Sequence, residues 1–244
     1  MSRTSVQLYS VRDAFAADPT DTLRRLAAIG FTHVEPYGVV ENADVLRTAL
    51  AAHGLTAPTA HAQLIGADQH AVFAVAAECG IDIVIDPYVG EEKWRDPADI
   101  AATAAALNAA AEVAAGHGVR VGYHNHWWEL ASRIDGRSAF EVLADRLDPG
   151  VVLEVDTYWA TVGGEDAPAL LRRLGDRVHA LHVKDGGLAR DGSGQVPAGR
   201  GRVPVAEVLA AAPGALRVVE FDAYDGDVFA GLVESCAFLA EAGA

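Results

Sequence analysis

Cysteine is almost absent from this chain. Of its 244 residues only Cys79 and Cys236 are cysteines; they lie far apart in helix-like stretches, and no Cys-x-x-Cys occurs. That argues against a disulfide framework and against a zinc knuckle. Basic residues are scarce as well: 19 Lys and Arg stand against 34 Asp and Glu, a formal net charge of -15. Nucleic acid and anionic membrane both need a basic surface, so neither is expected as a partner. A small anionic substrate held by a few local cations is still compatible with this balance. No apolar run approaches the ~18 residues of a membrane span, and the opening "MSRTSVQLYS" has no apolar signal region, so a soluble cytoplasmic protein is expected. A glycine-rich turn is missing from "QLYSVRDAF", where a doubly wound nucleotide-binding sheet would carry one.

What is present is a repeat. Hydrophobic residues make up 51% of the chain, and β-branched runs recur as "SVQLYSV", "FTHVEPY", "LTAPTAH", "IDIVIDPY", "VRVGYHN", "VVLEVDT", "RVHALHVKD" and "LRVVEFD". Between them lie segments rich in Ala and Leu with helix punctuation. "DPTDTLRRLAAIG" offers Asp18 as N-cap, Pro19 at the first helical position and Gly30 just past the end; "DPADIAATAAALNAAAEVAAGHG" repeats the plan with Asp96 and Pro97. Strand and helix alternating eight times predict an α/β fold, a single (β/α)8 barrel over residues 1–244, with an open doubly wound sheet as the structural alternative.

Parity sorts the strand side chains. In strand five His124 and His126 oppose Val121 and Tyr123; in strand six Glu154 and Asp156 oppose Leu153 and Val155. In strand seven His182 and Lys184 oppose Leu181 and Val183; in strand eight Glu220 and Asp222 oppose Val219 and Phe221. Helices cover the outside of a barrel, so the polar faces turn inward and their C-terminal ends meet at its top, where active sites of this fold sit. His124, Asp156, His182 and Glu220 are then candidate ligands for one divalent metal, one from each of four adjacent strands. Two imidazoles with two carboxylates suit Mn, Co, Zn, Fe or Ni, and Mg less well. A hydrogen-bonded polar plug without metal is the alternative.

"YHNHWWEL", "LEVDTYWA", "HALHVKDG", "GRGRVPV" and "VVEFD" resemble the sugar phosphate isomerase/epimerase family of xylose-isomerase-like TIM barrels. They resemble in particular a YHNH-type branch related to inosose dehydratases and 3-keto-glycoside-processing enzymes. The resemblance spans essentially the whole chain. It implies one divalent metal, manganese first, bound by Glu, Asp, His and Glu of strands five to eight. Asp156, His182 and Glu220 match the last three. His124 stands at the usual glutamate position, Glu129 is a second candidate there as ligand or acid/base, and Trp159 replaces a frequent histidine.

His126, Glu129, Lys184 and Glu220 are therefore the candidate catalytic groups, with Lys184 read as an oxyanion stabiliser or as an ion-pair partner of nearby carboxylates. Glu35, His61 and Trp159 are candidate substrate contacts; Gln7 and Tyr9 end strand one nearby. Arg200 and Arg202 read as phosphate clamp or as solvated arginines. The expected function is a metal-dependent sugar isomerase or epimerase working by proton abstraction next to a carbonyl. A lyase or dehydratase on a keto-sugar or inosose, and a non-catalytic sugar- or partner-binding barrel, are the alternatives. The expected partner is a small sugar or keto-sugar. The sugar, its phosphorylation and the oligomeric state stay open, and a homo-oligomer is compatible with the sequence.

Overall fold

The computed structural model describes residues 4–242, so the ends of the expected 1–244 domain lie outside the described residues. Eight parallel strands form one sheet: β1 (Thr4–Gln7), β2 (His33–Glu35), β3 (Thr59–His61), β4 (Ile83–Asp86), β5 (Arg120–His124), β6 (Val152–Asp156), β7 (Val178–Val183) and β8 (Leu216–Val219). Their spatial order is β2-β1-β8-β7-β6-β5-β4-β3. Parallel bridges from His33 to Thr56 and from Tyr37 to His61 link the two ends. The result is the expected single (β/α)8 barrel, nearly closed.

The helix punctuation works as the sequence predicts. Asp18 Oδ1 accepts the Asp21 N–H ahead of the helix Pro19–Ile29, and Gly30 ends it at φ 111°. Asp96 Oδ1 accepts from Ala98 N at the start of Pro97–Ala115. The outer faces of the strands pack under these helices in one large core that includes Val6, Val34, Val121, Leu153 and Leu181. Inside the barrel a separate small cluster of Ile83, Ile85 and Val152 forms an apolar floor. Gly122 belongs to this layer: a Cβ there would lie 3.0 Å from Ile85 Cγ1. Val152, Glu154 and Asp156 share one face of β6, so polar residues stack directly above the floor.

Candidate active site

Two interlocked groups of buried ligand-type side chains fill the upper barrel. Glu35, His61, Glu154 and His182 form the deeper one; His124, Asp156, His182 and Glu220 form the upper one. His182 belongs to both. Its Nε2 lies 2.8 Å from Glu35 Oε1 and 3.0 Å from Glu154 Oε2, while its Nδ1 lies 2.7 Å from Glu220 Oε2.

The deeper group is a square of imidazoles and carboxylates. His61 Nε2 lies 2.6 Å from Glu154 Oε2 and 3.2 Å from Glu35 Oε1, and Gln7 Nε2 donates to Glu35 Oε1 at 2.8 Å. Burial alone would lower the pKa of both histidines, but Glu154 with Glu35 at His61, and Glu154 with Glu220 at His182, reverse the sign and hold both above the usual value. Burial, then the neighbouring Glu154, raise Glu35, whereas the two imidazoles pull Glu154 well below the carboxylate range in spite of its burial.

In the upper group Asp156 ends β6 and caps the helix Thr157–Val162, its Oδ1 accepting the Trp159 N–H at 2.8 Å. That leaves Oδ2 facing inward. Asn125, between the two histidines of "HNH", ties β5 to β6: its Oδ1 accepts Asp156 N and its Nδ2 donates to Asp156 O. Lys184 Nζ lies 2.9 Å from Asp156 Oδ2, 2.6 Å from Glu220 Oε2 and 2.8 Å from Asp222 Oδ2. Burial works to lower its pKa, and Asp156, Asp222 and Glu220 outweigh that and keep the ammonium charged.

His124 is different. It is 3% exposed, yet neither ring nitrogen has a hydrogen-bond partner among the described residues. Its nearest acidic oxygen, Asp156 Oδ2, is 3.4 Å away. Burial, opposed in part by Asp156 and reinforced by His182 and His126, pushes its pKa down to about 3. A buried neutral imidazole whose N–H and lone pair both lack a partner costs folding energy unless something binds it. Composition points the same way: five acidic side chains (Glu35, Glu154, Asp156, Glu220 and Asp222) crowd around His61, His182 and Lys184. A divalent cation fits the upper set, where His124, Asp156, His182 Nδ1 and Glu220 supply N2O2 donors. In the deeper group every facing ring nitrogen already meets a carboxylate oxygen, although one oxygen each of Glu35 and Glu154 has no partner. Those carboxylates orient His182 from behind, as outer partners of ligating histidines do.

A cavity of about 950 Å³ opens above, walled at this end by Gln7, His61, His124, His126, Lys184 and Glu220. Several expected site residues lie elsewhere. Glu129 does not hang over the cavity from a loop. It sits in the short helix Trp127–Ala131, wholly buried, accepting from Tyr123 Oη at 2.8 Å and from His126 N at 2.9 Å. Tyr123 faces away from the barrel interior, so Glu129 is drawn outward with it. Glu35 lies in the deeper group behind His182 and off the cavity wall. Trp159 is 7% exposed and lies beneath Lys184, 5.7 Å from its Nζ to the ring, off the cavity wall. His126 does face the cavity, its ring stacked on Trp128 at 4.3 Å.

The loop "GRGRVPV" holds no anion-binding arginines at the site: Arg200 pairs with Glu234 on the surface, and Arg202 is exposed. Its organiser is Asp185, which sequence reasoning missed. Asp185 is 1% exposed and accepts backbone N–H groups from Gly186, Gly199, Gly201 and Val203. The segment also carries Gln195, which donates to Asp222 Oδ2 at 2.9 Å and accepts from Asp222 N at 2.8 Å. The loop thereby fixes Asp222, and Asp222 fixes Lys184.

A family model described as xylose isomerase-like TIM barrel matches residues 23–215. Comparison with curated proteins gives no match. Among solved structures, a sugar phosphate isomerase/epimerase from Parabacteroides distasonis superposes with a TM-score of 0.85 at 22% identity, over 99% of this chain and 93% of that one. The probable 3-DHS dehydratase AsbF from Bacillus anthracis gives 0.76 at 15% identity, over 98% and 99%. The IOLI protein, solved with a bound zinc atom, gives 0.74 at 12% identity, over 100% and 98%. At these identities the structures speak for the fold alone.

Proposed function

This chain belongs to the xylose isomerase-like TIM barrel family, and we propose that it is a divalent-metal-dependent sugar isomerase or epimerase that removes a proton next to a carbonyl. The observation that carries this reading is His124, buried, neutral and unpartnered beside Asp156, His182 and Glu220. A metal held there would supply Lewis acidity to a substrate carbonyl. Its identity stays open among manganese, zinc, cobalt, iron, nickel and magnesium; the histidine pair favours the softer of these.

The chain's own residues supply the rest. His182 presents Nδ1 upward because Glu35 and Glu154 hold its Nε2. Lys184, charged and fixed by three carboxylates, places positive charge at the wall where an oxygen gains negative charge. His126 is the proton-moving group: its ring lines the cavity two residues beyond His124, and Trp128 and the Glu129–backbone bond set its position. Glu129 itself is a positioning residue.

A lyase reading shares the proton abstraction, and one observation favours it over a two-carboxylate epimerisation. Glu35, Glu129 and Glu154 are wholly buried and off the cavity wall. A mechanism with one carboxylate on each face of the carbon is therefore not what this site offers, whereas a single base suffices for elimination or for enediolate isomerisation. Incubating metal-loaded protein with keto-sugars and inososes in deuterated solvent tests both. Deuterium uptake with an isomeric product supports isomerisation, release of water or an alcohol supports the lyase, and neither from any substrate refutes the catalytic reading.

A further inference from the structure

The cavity is far larger than the cation centre needs. Its volume of about 950 Å³ is at the upper end of the ~300–1,000 Å³ found for pockets that enclose drug-sized ligands. A bare monosaccharide at the centre would leave most of it filled with water. The remaining space runs along the segments that follow β2, β3 and β4, and its wall there is largely apolar: Tyr37, Val39, Val40, Ala71, Val72 and Tyr88. Among the described residues four large hydrophobic side chains are exposed, and three of them line this cavity: Tyr9 at 42%, Val40 at 42% and Tyr88 at 52%. Apolar side chains concentrated at one concave mouth mark a binding surface rather than scatter. The aromatic wall is continuous with the chemistry, because Tyr88 packs edge-on against His126 at 5.5 Å and against Trp128 at 5.7 Å. Tyr9 meets Tyr37 edge-on at 5.6 Å on the β1–β2 side.

The same wall is hostile to anions. Lys184 is its only Lys or Arg among the described residues, and that ammonium is taken by three carboxylates. Glu41, Asp68, Glu220 and Asp222 add negative charge. At the helix that starts at the wall, Gln69–Glu78, a carboxylate already caps the N-terminus, Asp68 Oδ1 accepting the Ala71 N–H.

Building on the sugar reading above, we propose that the substrate is a sugar bearing an uncharged, largely apolar substituent and no phosphate, with the polyol end at the cation centre and the substituent in the arm between the loops after β2, β3 and β4. A substituent that desolvates against Tyr37, Val40 and Tyr88 contributes affinity that a bare or phosphorylated sugar lacks.

Titration calorimetry on metal-loaded protein with three probes whose carbonyl is blocked tests this: methyl glucoside, phenyl glucoside and methyl glucoside 6-phosphate. Phenyl glucoside is expected to bind about tenfold tighter than methyl glucoside or better, and the phosphate ester no tighter than methyl glucoside. Val40→Asp and, separately, Tyr88→Ala should each lower the phenyl-to-methyl ratio. A wild-type ratio below about two, tighter binding of the phosphate ester, no saturable binding of phenyl glucoside, or an unchanged ratio in both variants would each overturn the proposal. The readout is independent of turnover. Proton exchange on keto-sugars with a ratio near one sinks the substituent and spares the isomerase; the reverse pattern spares the arm and sinks the chemistry.

Discussion

Replacing His124 by Leu separates a metal ligand from a structural histidine. In the metal-free protein His124 makes no hydrogen bond and carries no charge at neutral pH, its pKa lying at about 3. A buried polar group without a partner costs about 1–3 kcal/mol, and Leu has a similar volume without that cost. His124→Leu should therefore leave the metal-free protein as stable as before or raise its Tm; for a chain of this size ~1 kcal/mol is ~2–4 °C. Metal changes the comparison. A ligand at a hundred times its Kd stabilises by ~2.7 kcal/mol, so saturating Mn or Zn should raise the wild-type Tm by ~5–10 °C, and most of that rise should vanish in the variant. Scanning calorimetry on chelator-treated protein, with and without metal, reads all four states. A metal-free variant destabilised by more than ~1 kcal/mol would make His124 a structural residue, and an undiminished metal shift would remove it from the ligand set.

The other predictions concern neighbouring residues. His126→Gln should retain metal by elemental analysis and lose ~10²–10⁴ in turnover, whereas Glu129→Gln should lose ~1–3 kcal/mol of stability with turnover within tenfold; the opposite pattern would exchange their roles. Between pH 6.5 and 3 the unfolded chain protonates His124 before the folded one does, so this group's stability contribution is present above the ordinary histidine pKa and is lost as pH falls. The metal-free wild type should lose up to ~1.4 kcal/mol per pH unit more than His124→Leu in that window, and parallel urea-melt profiles for the two would refute it. Asp185→Ala strands four backbone N–H groups and should cost about 3 kcal/mol or more, with loss of protease protection in residues 186–203. Unchanged proteolysis there would show that the loop stands without it.

The barrel and its inner face were legible because strand periodicity is strict. One apolar face per strand, eight times, leaves the opposite residues pointing inward, and His124, Asp156, His182 and Glu220 follow from parity alone. Parity still holds for Lys184, Glu220 and His126, one or two residues past their strands, and fails where the chain turns into a helix. Glu129 read as a loop carboxylate near the site, yet the chain turns into a helix at Trp127 and the outward-facing Tyr123 of β5 donates to it. Glu35 lies on the inner face as read, but depth along a strand decides function: at the level of Glu154 it meets the back of His182, and no pattern in "HVEPYG" reports that level. Asp185 was hidden because a carboxylate that collects backbone N–H groups from residues up to 18 positions away leaves no local signature.

For Lys184 the sequence posed two roles, and the structure shows the ion pairs. Oxyanion stabiliser and ion-pair partner are compatible roles because the oxygens that hold its ammonium, Asp156 Oδ2 and Glu220 Oε2, belong to the proposed metal ligands. A metal held there would draw on the same two carboxylates as the ammonium, and Asp222, fixed by Gln195, would remain as the anchor of Lys184. The glycine-rich segment after β7 thus reaches the centre through a chain of contacts from Asp185 and Gln195 to Asp222 and Lys184, rather than by offering its arginines to a substrate.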